Sequence, residues 1–328
     1  MLPIAVDAMG TDRGPAEVVA GARRASEQLG VPVLLVGRPD ALGDTGGLEV
    51  VPASEIITME DDVAAGVRRK KDASVVRAAE AVRDGRASAM VSAGNTGAAM
   101  GSALLRMGRL PGVVRPAIAT PLPVPGSTPT VLLDAGANAE VQPEWLVQFA
   151  QMGAAFATAR YGIESPRVGL LSIGEEATKG TSVVKEAHAA LRAAEVWAGS
   201  GGRFIGNVEG RDLLTDRVDV VVTDGFTGNV VLKTLEGAMK FMRRAVFGVL
   251  TSTPEAVKAS EVLVPLLMPL VKEMDPDSYG GALLLGVDGV CIISHGSSSA
   301  DAVVNAVGVA RDMVEGGLVD RLRQAIKG

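Results

Sequence analysis

Short apolar runs with no polar alternation recur along the chain, and they constrain its fold more than any other feature. They fall at Ile4–Asp7, 33–36, Ala89–Ser92, Thr130–Leu133, 168–172, 204–205, 219–223 and Val290–Ile293. A strand that is apolar on both faces must be covered on both faces, which is the mark of a largely parallel sheet flanked by crossover helices. The stretches between the runs supply those helices. Pro15–Leu29 opens on proline and is followed by Gly30, the expected punctuation of a helix. Asp72 reads as the N-cap of a helix ending near Gly85, and further helices are expected from the turn after Ser92 to Met107 and from near Pro143, Thr181 and Gly228. The 328 residues show no internal repeat and no low-complexity linker, so the reading is one α/β domain over residues 1–328.

Composition narrows the function. Hydrophobic residues make up 47% and aromatics 3%, so Val, Leu, Ala, Met and Ile must build the core; 40 glycines suit many tight turns from strand to helix. The net charge of −6 and the lack of a basic stripe argue against nucleic-acid binding. The single cysteine, Cys291, lies in an apolar run, which fits a reducing compartment and is too little for a thiolate zinc site. No metal-ligand constellation is visible and no cofactor is expected. The first residues lack a basic n-region with a long apolar core, and no stretch of about 20 apolar residues occurs, so a cytoplasmic protein is expected.

Residues 229–274 break the rhythm. Residues 229–250 carry an apolar stripe at Val231, Leu235, Met239, Met242 and Val249, with Lys233, Lys240 and Arg244 on another face. Residues 255–274 hold the run Val262-Leu263-Val264-Pro265-Leu266-Leu267-Met268-Pro269-Leu270-Val271, where the prolines are expected to kink or break a helix. The segment reads as a projecting helical hairpin. Its apolar side is core, a dimer contact or a membrane contact through Leu263, Leu266 and Leu267, and its basic face with Lys240 and Arg244 is suited to anionic headgroups or an acidic partner protein.

The turns after the strands share one chemistry. They contain Asp7, Gly10 and Arg13; Ser92, Gly94, Asn95 and Thr96; Asp134, Gly136 and Asn138; Lys179 and Gly180; Asp224, Gly225, Gly228 and Asn229; and His295 and Ser297. Glycine lets backbone N–H groups approach a ligand, and helix N-termini carry unpaired donors with partial positive charge, so such turns make anion sites. Several of them are expected on one edge of the sheet. None is a P-loop or a GxGxxG after a strand, which argues against ATPase and dinucleotide chemistry.

The segments DAMGTDRGP, VSAGNTGA, RPAIATPLP, LLDAGAN, VGLLSIGEEATKGT, FIGNVEGRDL, VVVTDGFTGNVVLKTLEG, YGGALLLG and SHGSSSADAV closely resemble the bacterial acyl-acyl-carrier-protein:phosphate acyltransferases, the PlsX family, over nearly the whole chain and in the family's order. The resemblance implies a Rossmann-like fold akin to isopropylmalate dehydrogenases and phosphotransacetylases, and a homodimer in peripheral contact with the inner face of the cell membrane. It implies transfer of a fatty acyl group from acyl-carrier protein to inorganic phosphate, the acyl phosphate then serving a glycerol-3-phosphate acyltransferase in phospholipid synthesis. The first motif departs from the family's usual DAMGGDHGP: Thr11 and Arg13 replace Gly and His, so a histidine role there does not carry over. Arg13 either neutralises an anion or is a solvated loop residue.

The chemistry asks little of the protein. Phosphate ionises near neutral pH (about 6 to 7 by analogy with its esters), and a thiol of pKa about 8.5 leaves readily. What remains is to hold phosphate, align it on the thioester carbonyl and stabilise the oxyanion. Lys179, which matches the family's lysine, is the cation for phosphate or the developing charge, or else a surface lysine. Asn229 donates to the acyl carbonyl, or is an N-cap. His295 protonates the thiolate, binds phosphate, or braces its loop. Asp7, Asp134 and Asp224 end strands and orient loop amides, since bare carboxylates would repel phosphate. His188 reads as a surface helix residue, and no GxSxG elbow supports a hydrolase triad. The competing readings are a phosphotransacetylase for short acyl-CoA and a non-catalytic phosphate-binding scaffold.

Overall fold

A computed structural model of the chain describes residues 1–58 and 60–327. Among the described residues eleven strands form one sheet: β1 (Ile4–Asp7), β2 (Val33–Gly37), β3 (Glu49–Pro52), β4 (Ala89–Ser92), β5 (Ala117–Leu122), β6 (Thr130–Leu133), β7 (Arg167–Leu171), β8 (Arg203–Val208), β9 (Val220–Val222), β10 (Ala282–Leu285) and β11 (Val290–Ile293). Their order is β3-β2-β1-β4-β11-β10-β5-β6-β9-β7-β8. The sheet is largely parallel, as the unbroken apolar runs require. Three pairings, β10–β11, β10–β5 and β5–β6, are antiparallel.

Helices α1 (Pro15–Leu29), α2 (Pro39–Leu42), α3 (Val63–Arg69), α4 (Ser74–Arg83), α5 (Thr96–Arg106), α6 (Pro143–Tyr161), α7 (Ser182–Leu191), α8 (Gly225–Leu250), α9 (Pro254–Glu273), α10 (Ala300–Glu315) and α11 (Leu318–Lys327) cover the sheet. Alternate strand residues point to opposite faces. Ile4, Val6, Val33 and Leu35 pack with α1, α6, α10 and α11, whereas Ala5, Leu34, Val36 and Met90 pack with α4, α5 and the start of α8. The α1–α10 contact is close: a Cβ on Gly21 would stand 2.6 Å from that of Val303.

Four local expectations need correction. Helix α9 runs unbroken through Pro265 and Pro269. Each proline frees the carbonyl four residues back, and these lie on the exposed residues Glu261 and Pro265, where leaving a carbonyl unpaired costs least. The long helix starts at Gly225, four residues before Asn229, because Asp224 caps it by accepting from Thr227 N. Asp72 does not cap α4; its carboxylate accepts from Ser54 N and Oγ at 2.9 and 2.7 Å, tying a loop to the helix's approach. His188 is buried on the inner face of α7, its Nδ1 3.0 Å from Asn207 Oδ1 and its ring edge-on to Phe204.

Helices α8 and α9 form the hairpin. Its outer half carries exposed apolar side chains, with Val249 69%, Val262 69% and Leu266 72% accessible. Among the described residues no helix is long and apolar enough to cross a membrane.

Candidate active site

Strand direction decides which turns can meet. β1, β4 and β11 run one way; the antiparallel steps through β10 and β5 reverse β6, β9 and β7. The turns therefore gather on two opposite edges of the sheet, and the single-edge expectation is wrong.

On the first edge, Ser92 Oγ donates to Asp7 Oδ2 at 2.7 Å, and Met9 N donates to Asp7 Oδ1 at 3.2 Å. Ser294 N is bonded to Ser92 O, and Asp12 N to Gly296 O, both at 2.9 Å. Gly10, at φ 75°, brings its turn against Gly94. Asn95 caps α5 by accepting from Ala98 N at 3.0 Å, and Thr96 begins the helix. Asp7, Gly10, Ser92, Gly94, Asn95, Thr96, His295 and Ser297 thus belong to one cluster, with Arg13 at its rim. Burial raises the Asp7 carboxyl above its ordinary value despite its hydroxyl and amide donors.

On the second edge, Asp134 is ringed by donors: Ile118 N (2.9 Å), Gly136 N (3.1 Å), Ala137 N (3.0 Å), Asn138 N (2.7 Å) and Asn138 Nδ2 (2.9 Å). Burial outweighs these bonds and raises its carboxyl too. Gly225 N donates to Asn138 O at 2.7 Å. A Cβ on Gly228 would lie 1.9 Å from Asp134 O, so only glycine lets α8 dock here. Asn229 follows, packed beside Gly136. Lys179 and Gly180 stand one strand further out, after β7. Lys179 is exposed, and it lines neither cavity described below.

Helix α8 joins the edges. From the second edge it crosses β5 toward the first, enclosing a slot of about 140 Å³ walled by Thr96, Thr120, Asn229, Glu236 and His295 among others. Asn229 and Glu236 are two helical turns apart, roughly 10 Å along the axis. Glu236 lies 3.9 Å from His295 Nε2 and 3.0 Å from Lys233 Nζ. Thr120 lines this slot, and its buried Oγ1 has no hydrogen-bond partner. Beyond His295 the slot meets a larger cavity of about 610 Å³ between α8 and α9, with Arg13, Lys240 and Ser297 on its border.

Sequence reasoning missed Thr120 and Glu236. Glu236 was findable, since i and i+7 share a helix face and Asn229 was already named. Thr120 lies in a strand that was not recognised. Cys291 takes no part in the slot: it is buried in β11, which pushes its thiol up to about 12. Among the described residues, no three His, Cys, Asp or Glu side chains gather as a metal site.

Comparison with known proteins agrees with this architecture. The model of the family described as "Fatty acid synthesis protein" matches residues 2–321. The phosphate acyltransferase of Heliobacterium modesticaldum is 47% identical over 99% of this chain and 98% of its own length, and that of Elusimicrobium minutum is 48% identical over 98% and 95%. The chain belongs to the phosphate acyltransferase family. It is accordingly an acyltransferase enzyme of fatty acid and lipid synthesis. Its fold is shared with a phosphotransacetylase from Streptococcus pyogenes (TM-score 0.65, 15% identity, 96% of this chain and 94% of that one) and with EutD phosphotransacetylase from Staphylococcus aureus (TM-score 0.63, 15% identity, 95% and 94%).

Proposed function

We propose that this acyltransferase moves a fatty acyl group from acyl-carrier protein to inorganic phosphate, which attacks the thioester directly. The observation that carries the reading is the slot itself. It offers the Asn229 amide, the hydroxyl-bearing residues Thr96, Thr120, Tyr279 and Ser294, the His295 imidazole and the paired Lys233 and Glu236, and among the described residues it offers no thiol nucleophile that could form an acyl-enzyme. Phosphate sits at the α5 N-terminus, against Thr96 and the turn of Ser92, Gly94 and Asn95, where helix-end donors and His295 receive it. Asn229 donates to the thioester carbonyl oxygen as it becomes an oxyanion. Phosphate oxygen bonds to the acyl carbon, the carbon–sulfur bond breaks, and the thiolate leaves with its charge, taking a proton from His295 or water. Lys179 stands outside the slot, on the same edge as Asn229, and its charge on the exposed turn after β7 draws the anionic substrates toward the site.

The Asp7, Asp134 and Asp224 carboxylates hold the turns and stay clear of phosphate, their lone pairs already engaged by amides and hydroxyls. Arg13, with Lys240 and Arg244 on α8, receives the acidic carrier protein. The enzyme works as a homodimer at the inner membrane surface, passing acyl phosphate to a glycerol-3-phosphate acyltransferase. The exposed Leu263 and Leu266 support the membrane contact. Leu267 instead borders the larger cavity, so a liposome sedimentation test uses Leu263→Glu with Leu266→Glu. Unchanged binding by that folded variant rules the segment out.

The decisive experiment incubates the protein with acyl-carrier-protein thioester and phosphate and traps the product with hydroxylamine. Hydroxamate that depends on phosphate is expected. Its absence with every thioester, acyl-CoA included, overturns the reading.

A further inference from the structure

The larger cavity has a shape of its own. Its walls are two facing stripes: Met239, Met242 and Val246 on α8, at helical spacing, and Leu267, Leu270 and Val271 on α9. It adjoins the slot, since Glu236, Met239 and His295 line both. A water molecule's share of liquid is about 30 Å³, and a methylene is similar in size. The 610 Å³ available therefore exceeds what on the order of a dozen methylenes need. The volume also falls in the usual range of ligand pockets, about 300–1,000 Å³. The unbranched thioether side chains of Met239 and Met242 suit a flexible apolar occupant. The lining also includes the charged residues Arg13, Glu236, Lys240, Arg243, Asp275 and Asp277, which leaves a polar border for the substrate's headward end.

We infer that the α8–α9 groove is the acyl-chain site: the linear hydrocarbon tail of the thioester enters past His295 and lies between the two stripes, its carbonyl left in the slot beside Asn229. This rests on the acyl-transfer reading above and adds to it the element that measures chain length. The hairpin then selects the substrate by how many methylenes its stripes can cover.

Two measurements test the inference. In the first, kcat/KM is compared for hexadecanoyl and octanoyl carrier-protein thioesters in the unmodified protein, Val246→Trp and Leu270→Trp. The indole blocks the middle of the groove, so the hexadecanoyl-to-octanoyl ratio is expected to fall at least about tenfold, one extra or missing methylene alone being worth about 10-fold or more in an apolar pocket. Ala245→Trp, exposed on α8 and bordering neither cavity, keeps the unmodified ratio. An unchanged ratio in both folded groove variants overturns the inference, as does a finding that they merely dissociate a dimer seated on these stripes, read by analytical ultracentrifugation. In the second, the unmodified protein is photolabelled with a hexadecanoyl thioester bearing a terminal diazirine. Cross-links are expected in residues 239–246 and 267–274. Labels confined to other elements overturn the inference even if a tryptophan variant fails to fold. A protein that makes no acyl phosphate from any thioester fails the functional reading instead, and the photolabel still reports on the groove.

Discussion

The two edges of the sheet each end a central strand on a buried aspartate, and they satisfy it differently. Asp134 faces N–H donors, four of them main-chain amides locked in place by β5 and the following turn. Asp7 faces one amide and the hydroxyls of Ser92 and Ser74, which rotate. The first arrangement fixes backbone; the second keeps a polar cluster adaptable. This matches what each edge carries. The Asp134 turn seats the N-terminus of α8 to within a glycine's clearance, so Asn229 is held by the frame of the sheet. The Asp7 edge presents rotatable groups and His295, which is half exposed at the junction of the two cavities. In the proposed reaction, these edges would divide the labour between a fixed oxyanion donor and a yielding phosphate seat.

The largest expected effect is on the fixed edge. Asn229→Ala should lower kcat about 10²–10³-fold, the usual loss of one preorganised oxyanion donor, with KM for the thioester little changed. His295→Ala should cost only about tenfold, below the usual 10²–10⁴ of general acid–base catalysis, because the thiolate leaves with little help. Hydroxamate initial rates measure both. Equal losses at the two positions would erase the functional contrast between the edges.

The next effect concerns stability. Asp134→Asn replaces an acceptor with an NH₂ group aimed at fixed N–H donors, and stranding buried donors costs about 1–3 kcal/mol per group. A loss of about 2–3 kcal/mol in denaturant unfolding is expected. Asp7→Asn should cost under about 1 kcal/mol, since Ser92 and Ser74 can turn to accept where they donated. If the two variants unfold alike, the distinction between locked and rotatable partners is wrong.

The same contrast shows what the sequence could and could not reveal. Strands apolar on both faces were legible from their residues, and β1, β4, β6 and β11 stand where the runs placed them. Missing were β3, β5 and β10. β5 carries Pro121 in the run Ala117–Leu122, and β10 is a four-residue stretch between glycines, so neither looks like a strand locally. Yet these two are antiparallel and reverse half of the sheet, which is why turns of similar chemistry lie on opposite edges. Local pattern reports burial and period; strand direction is set by partners far away in sequence, such as Leu283 with Ala119 and Ala119 with Leu133. The site residues were legible as chemistry and not as geometry. The Asn229 and His295 turns proved to share one slot through α8, whereas nothing in the motif around Lys179 signalled that it stands outside that slot.

The smallest effect is also the most diagnostic of the yielding edge. Burial raises the Asp7 carboxyl in the folded chain, so between its unfolded value of about 3.9 and its higher folded value the native state binds more protons than the unfolded state. Stability contributed by this group is therefore fully present below about pH 3.9 and is lost as pH rises through the folded value. Asparagine mimics the protonated form at every pH. Relative to the unmodified protein, Asp7→Asn should gain stability as pH is raised from 4 to 7, so that its deficit shrinks or changes sign. Asp134→Asn also removes a raised carboxyl, but there the stranded amides persist at every pH and the variant stays less stable throughout. Thermal unfolding across that range measures both curves. A deficit of Asp7→Asn that grows with pH would mean the folded protein prefers this carboxylate charged, and the first edge would then be as rigidly wired as the second.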